Sequence, residues 1–165
     1  MRTTTRVSTA LVAILSLAAS AAQAQSANIN ATAVVFQAMT VTGARTLDFG
    51  NVFPGVAKSI AVAAATSGRF DLTGQASANV NVSFTLPTNL TSGANLLPIG
   101  TWTGCTNATN TTTGCTSFTP SAATTATAFS GAGALFVWVG GTVTPGAAQA
   151  TGTYNGTVTL TAAYF

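Results

Sequence analysis

Between Asn79 and Leu86 every second residue is apolar: Val80, Val82, Phe84 and Leu86 alternate with Asn79, Asn81, Ser83 and Thr85, and Pro87 follows. A period of two places the apolar set on one side of an extended chain, the pattern of a β-strand with one buried face. Pro87 carries no backbone N–H to donate to a sheet and ends the run. Shorter versions of this alternation return roughly every ten residues, with Gly and Pro between them. From Gln25 onward no stretch places apolar residues at i, i+3, i+4 and i+7, so helices are not expected.

The expected strands can be named. Ala27 to Thr42 begins with Ala27, Ile29, Ala31, Ala33 and Val35 on one face, Leu47 to Phe53 follows, and Pro54-Gly55 turns the chain. Lys58 to Ala64 and Arg69 to Thr73 come next, before the clear run at Asn79. Ala134 to Val143 is apolar on both faces, with Leu135, Val137 and Val139 opposite Phe136 and Trp138, and reads as a strand buried on both sides or facing a partner. The final segment, Gly152 to Phe165, places Tyr154, Val158, Leu160, Ala162 and Tyr164 on one face. Residues 88–130, rich in Thr and Asn, read as a variable loop region. Short strands with short connections predict an all-β, immunoglobulin-like sandwich of antiparallel strands.

The N-terminus decides which residues enter that sandwich. Arg2 and Arg6 precede an apolar run from Ala10 to Ala22, and Ala22-Gln23-Ala24 has the small-x-small form of a signal cleavage site. The run is shorter than the roughly 20 residues a membrane span needs, so residues 1–24 are expected to direct export and be removed. The remainder is then one domain: an N-terminal strand at residues 25–36 and a sandwich at residues 37–165. No membrane insertion of this mature chain is expected.

Charged residues make up 4% of the whole sequence, where about a quarter is usual. After residue 24 the charges are Arg45, Lys58 and Arg69 against Asp48 and Asp71, with no basic patch to bind nucleic acid. Neutral hydroxyls and amides are cheaper to desolvate than ions, which suits a surface packed against other subunits. His and Glu are absent. That leaves no base near neutral pH, no carboxylate pair at working distance and no convincing set of metal ligands, so neither an enzyme nor a cofactor is expected. Cys105 and Cys115 close a short Thr- and Asn-rich loop. In an exported protein such a pair is expected as a disulfide, since the spacing is not that of a C-x-x-C redox motif.

Function is expected at the edges. If the last strand has no successor, an unpaired edge and an apolar groove are left open, and both invite an added strand. The leading face of Ala27, Ile29, Ala31, Ala33 and Val35 is the candidate donor. The face of Tyr154, Val158, Leu160, Ala162 and Tyr164 is the candidate acceptor edge. Head-to-tail repetition of such a contact gives a filament.

Four segments carry a resemblance: Leu47-Asp48-Phe49-Gly50-Asn51-Val52, Gly68-Arg69-Phe70-Asp71-Leu72-Thr73-Gly74, Val139-Gly140-Gly141-Thr142-Val143, and Gly152-Thr153-Tyr154-Asn155-Gly156-Thr157-Val158-Thr159-Leu160-Thr161. In this order they resemble the DUF4402 domain, itself similar to the spore coat U and archaic chaperone-usher pilin group. The resemblance implies an incomplete immunoglobulin-like fold and donor-strand exchange between copies or related subunits. It also implies a periplasmic chaperone, an outer-membrane usher and a final place in a fibre at the cell surface. The alternative is a monomeric surface module that binds glycans, with Trp102 and the Thr/Asn loop as its contacts.

Overall fold

A computed structural model of the chain describes residues 24–165. The expected export signal, apart from Ala24, lies outside those residues. The chain divides into two units, the first ending at Val34 and the second running from Val35 to Phe165. Residues 24–34 form no helix or strand, and each is exposed. The strand expected from Ala27 to Thr42 is thus regular only from Thr40 onward. A lone extended segment has no partner for its N–H and C=O groups, and alternation by itself does not make a sheet.

The second unit is an antiparallel β-sandwich, and the described residues contain no helix. Its strands are β1 (Thr40–Arg45), β2 (Lys58–Ile60), β3 (Gly68–Thr73), β4 (Asn79–Thr85), β5 (Asn89–Ser92), β6 (Asn95–Asn107), β7 (Thr116–Phe118), β8 (Thr125–Ala128), β9 (Ala134–Val143) and β10 (Thr159–Tyr164). One sheet has the order β1-β3-β9-β6-β5, with β2 pairing the far end of β9 and β7 pairing β6. The other has three strands, β10-β4-β8. Every ladder in both sheets is antiparallel.

The alternation at Asn79 does what its period dictates. Val80, Val82 and Phe84 are buried against Leu72 of β3, Leu135, Val137 and Val139 of β9, Leu160 of β10, and Phe129. A second cluster, Phe49, Leu97, Ile99 and Val143, fills the other end of the sandwich. β9 is covered on both faces as expected: Leu135, Val137 and Val139 point into the core, and Trp138 is buried on the opposite side. Five of the buried side chains lie on β9 alone, so this strand organises both clusters.

Two expected strands contract. Leu47 to Phe53 is irregular, although its Phe49 is buried, because Asp48 N–H donates to Thr66 C=O (2.9 Å) in a loop and the chain leaves the sheet. Only Lys58–Ile60 of the expected Lys58 to Ala64 strand pairs, and a turn closed by Ala64 N–H to Ala61 C=O (2.9 Å) follows it.

The region 88–130 departs furthest from expectation. It holds β5 to β8, including the longest strand of the molecule, β6. Leu97 and Ile99 point inward from β6, Cys105 lies beside Trp138 on the opposite face, and threonine, which is at home in a pleated sheet, takes part of the exposed set. A register shift between Gly100 and Thr103, with Thr101 at φ 47°, bulges β6 against β9. Trp102 packs there against both core clusters.

Cys105 and Cys115 are bridged, with Cα atoms 5.8 Å apart. The bridge sits at the β6–β7 hairpin, where Cys105 faces Ser117 across the ladder. Gly104 faces Phe118, and a Cβ there would lie 2.5 Å from the Phe118 ring. Glycine at 104 therefore lets Phe118 lie flat on β6 and stack on Phe84 at 5.7 Å between ring centroids.

Candidate functional site

The three-stranded sheet ends at β10. That strand pairs β4 in unbroken register from Thr159↔Thr85 to Tyr164↔Val80, and no described strand pairs its other side. Alternate residues of β10 therefore turn N–H and C=O groups outward without a partner strand. Leu160, Ala162 and Tyr164 face the core, whereas Thr159, Thr161 and Ala163 are exposed.

Of the five residues of the expected acceptor face, only Leu160, Ala162 and Tyr164 lie on β10. Tyr154 and Val158 precede β10. Tyr154 packs on the second core cluster, and its hydroxyl donates to Ala150 C=O (2.8 Å) and accepts from Gln149 Nε2 (2.7 Å). Asn155 bridges to Thr91 of β5 through two backbone hydrogen bonds (2.8 and 2.9 Å), which draws this segment across to the other sheet. Val158 packs on the first cluster. Alternation continues through this stretch in the sequence, but the chain changes sheets within it.

That change of sheets opens a groove of about 960 Å³. It is lined by residues 45–54, by residues 149–158, and by the inner faces of β3, β9 and β6 through Phe70, Val139, Val143, Leu97 and Ile99. Gly43 and Arg45 of β1 and Val158 beside β10 line the same space, so the outer strands of both sheets meet on this side of the sandwich. The lining chemistry is apolar at the floor and uncharged over most of the rim. Arg45 is turned to the backbone, its Nε donating to Ser67 C=O and its Nη2 to Ser67 Oγ, both at 2.6 Å. Asp48 accepts from Gly50 N–H (2.7 Å).

Next to the end of β10 the root of the leader is fastened. Tyr164 hydroxyl donates to Gln37 C=O (2.9 Å) and accepts from Gln75 N–H (2.7 Å), while Gln37 N–H donates to Gln75 Oε1 (3.3 Å). Phe36 stacks on the Tyr164 ring with centroids 5.1 Å apart, and Phe129 lies on the Tyr164 ring at 6.0 Å. A Cβ on Gly74 would collide with the Tyr164 hydroxyl and lie 2.9 Å from the Phe129 ring, so glycine is required for this knot to close. The alternation revealed Tyr164 as an inward residue, but it gave no sign that Phe36, Gln37 and Gln75 converge on it.

The candidate donors Ala27, Ile29, Ala31 and Ala33 are exposed and unpaired in the first unit, and Val35, the first residue of the second, is exposed as well. Ile29 is 93% exposed. Trp102, a candidate glycan platform by sequence, is half-buried, its ring over Gly141 and against both clusters. Arg69 and Asp71 pair with each other (Nε–Oδ1 2.7 Å), and the described residues hold no group of three metal-ligating side chains. No helix among the described residues is long and apolar enough to cross a membrane.

An all-β sandwich with a free sheet edge at β10 and an adjoining apolar groove is the class that fold and site define. Within that class, residues 39–164 match the model of a family described as a domain of unknown function, DUF4402, and the chain belongs to that family. No curated protein and no solved structure matches the chain.

Proposed function

We propose that this chain is a structural subunit of a bacterial surface fibre, exported through the inner membrane and joined to its neighbours by strand donation. One observation carries the reading: a free edge on β10 adjoins an apolar groove, in a chain whose leader is an unpaired segment of alternating small and apolar residues. The leader of one copy adds to β10 of the next and places Ile29 and Val35 in the groove. Burial of such side chains contributes about 1.5–3 kcal/mol each, and each main-chain hydrogen bond gained along β10 adds about 1 kcal/mol net.

Strand direction favours donation between copies over self-closure. The leader is rooted where Phe36 and Gln37 meet Tyr164, the last residue of β10. Run back along its own β10 from there, it would be a parallel strand in a molecule whose ladders are all antiparallel. Donated by a neighbour arriving at the Thr159 end, it runs antiparallel, the more stable pairing.

Until that strand arrives, the edge and groove need a temporary cover. A periplasmic chaperone that lends a strand, followed by an outer-membrane usher, would meet this need, in keeping with the family resemblance. The role is structural and uses no catalytic group or cofactor.

Deleting residues 25–35 from the mature chain tests the proposal by size exclusion. The full chain is expected to associate into a ladder of sizes, and the truncated chain to give unassembled subunits that bind an added peptide of residues 25–36. A truncated chain that behaves as the full chain does would overturn strand donation.

A further inference from the structure

We propose that the two poles of the sandwich form a second contact between copies, Val41 and Phe165 of one copy packing on Phe53, Val56 and Leu96 of the next. The inference rests on the strand-donation reading.

The long axis of the body is set by β9. At its Ala134 end lie Thr73 and Thr40, paired in sequence across β3 and β1, together with the Tyr164 knot. At its Val143 end lie Lys58, Ile99 and the 144–149 turn. The nine steps between these ends span roughly 30 Å.

From Phe36 onward, the large apolar side chains left exposed among the described residues are Phe36, Val41, Phe53, Val56, Leu96 and Phe165. They fall at the two poles and leave the waist bare. Val41 pairs with Leu72, which pairs with Leu135, and Phe165 follows Tyr164, so both lie at the Ala134 end beside Phe36. At the opposite end, the turn holding Phe53 and Val56 is tied to the 144–149 turn by Gly55 N–H to Gly146 C=O (3.1 Å). Leu96 is tied to that turn by Gln149 Nε2 to its own carbonyl (3.0 Å). Phe53 is 68% and Phe165 63% exposed. Apolar patches held in place on a monomer's surface are the mark of an interface.

The occupant follows from the short tether. Val35 is the last donor side chain, and Phe36, the next residue, is held on Tyr164. The groove is lined at the Val143 end by Val143, Pro145 and Leu97. With no slack between the donated strand and the body that donates it, seating Val35 at that mouth draws the donor's Ala134 pole onto the acceptor's Val143 pole. Apolar side chains then meet apolar side chains, with Lys58 at the acceptor pole turned to Asn51 C=O (2.9 Å). The contact is heterologous, so it repeats along a filament and stiffens it at each joint.

A Val41→Cys/Val56→Cys chain with the native bridge intact tests this. The two sites lie at opposite poles, far beyond the roughly 7 Å Cα separation a disulfide within one copy allows. Mild oxidation of assembled chains is expected to give a covalent ladder on non-reducing gels, absent when residues 25–35 are deleted. Val56→Ser/Leu96→Ser, both outside the groove lining, is expected to unfold at the temperature of the parent while associating roughly tenfold or more weakly. Assembly by size exclusion without a covalent ladder, or with Val56→Ser/Leu96→Ser associating as the parent does, overturns the pole contact and leaves strand donation standing. Failure of the parent chain to assemble overturns both.

Discussion

Ile29→Ala is expected to weaken association between copies about 50-fold while leaving the unfolding of the sandwich unchanged. In the free chain Ile29 is 93% exposed, so truncating it removes nothing that holds the body together. In the groove, toward the end of its floor where Phe70 and Val139 lie, the same truncation forfeits three methyl or methylene groups. At about 0.8 kcal/mol each this is about 2.4 kcal/mol, or ~50-fold in a dissociation constant. Sedimentation of a dilution series measures the association, and thermal unfolding monitored by circular dichroism measures the body. Asn30→Ala supplies the internal control: it lies on the opposite face of the donated strand and should change association by no more than about threefold. Equal losses at positions 29 and 30 would refute a strand that inserts one face, and parent-like association of Ile29→Ala would refute insertion altogether.

Two further outcomes follow from the body itself. Tyr164→Phe keeps the ring on Phe36 and Phe129 but leaves Gln75 N–H and Gln37 C=O without their partner, so stability should fall by about 1–2 kcal/mol in urea unfolding, with faster amide exchange at Gln75. Replacing both Cys105 and Cys115 by Ala opens a loop whose ends are 10 positions apart and should cost about 3 kcal/mol by the same assay; a loss below about 1 kcal/mol would show that the hairpin is held without its bridge.

The strands buried by strict alternation were legible in the sequence to within a residue or two, β4 and β9 above all, because a period of two with Val and Phe on one side admits few other structures. β6 was hidden for a physical reason. Threonine holds several of its exposed positions, and Gly104 and the bridged Cys105 stand on opposite faces, so hydropathy sees a polar loop where the sheet finds β-branched and small side chains that pack closely. The stretch from Tyr154 to Val158 misled in the opposite sense: its alternation is real, but the Asn155 bridge to Thr91 splits it between the two sheets, and no local pattern encodes a crossing. Of the candidate site, β10 was legible from its alternation, and its place at the edge of the three-stranded sheet is set by the strand order. The groove beside it was not, since its floor combines residues from three strands, β3, β6 and β9, whose order depends on topology.

The slot left by Gly104 gives the disulfide a wider reach than its place in an exposed loop suggests. Phe118 enters the space between the sheets from β7, which pairs β6 through its backbone and is tied to it at its start by the Cys105–Cys115 bridge. Thiol oxidation thus tethers the strand that carries Phe118 under Phe84 as well as closing a surface hairpin. A copy that reached its destination with both thiols reduced would carry a loosened aromatic stack at its centre, and the redox state of its surroundings would be written into how firmly its two layers hold together.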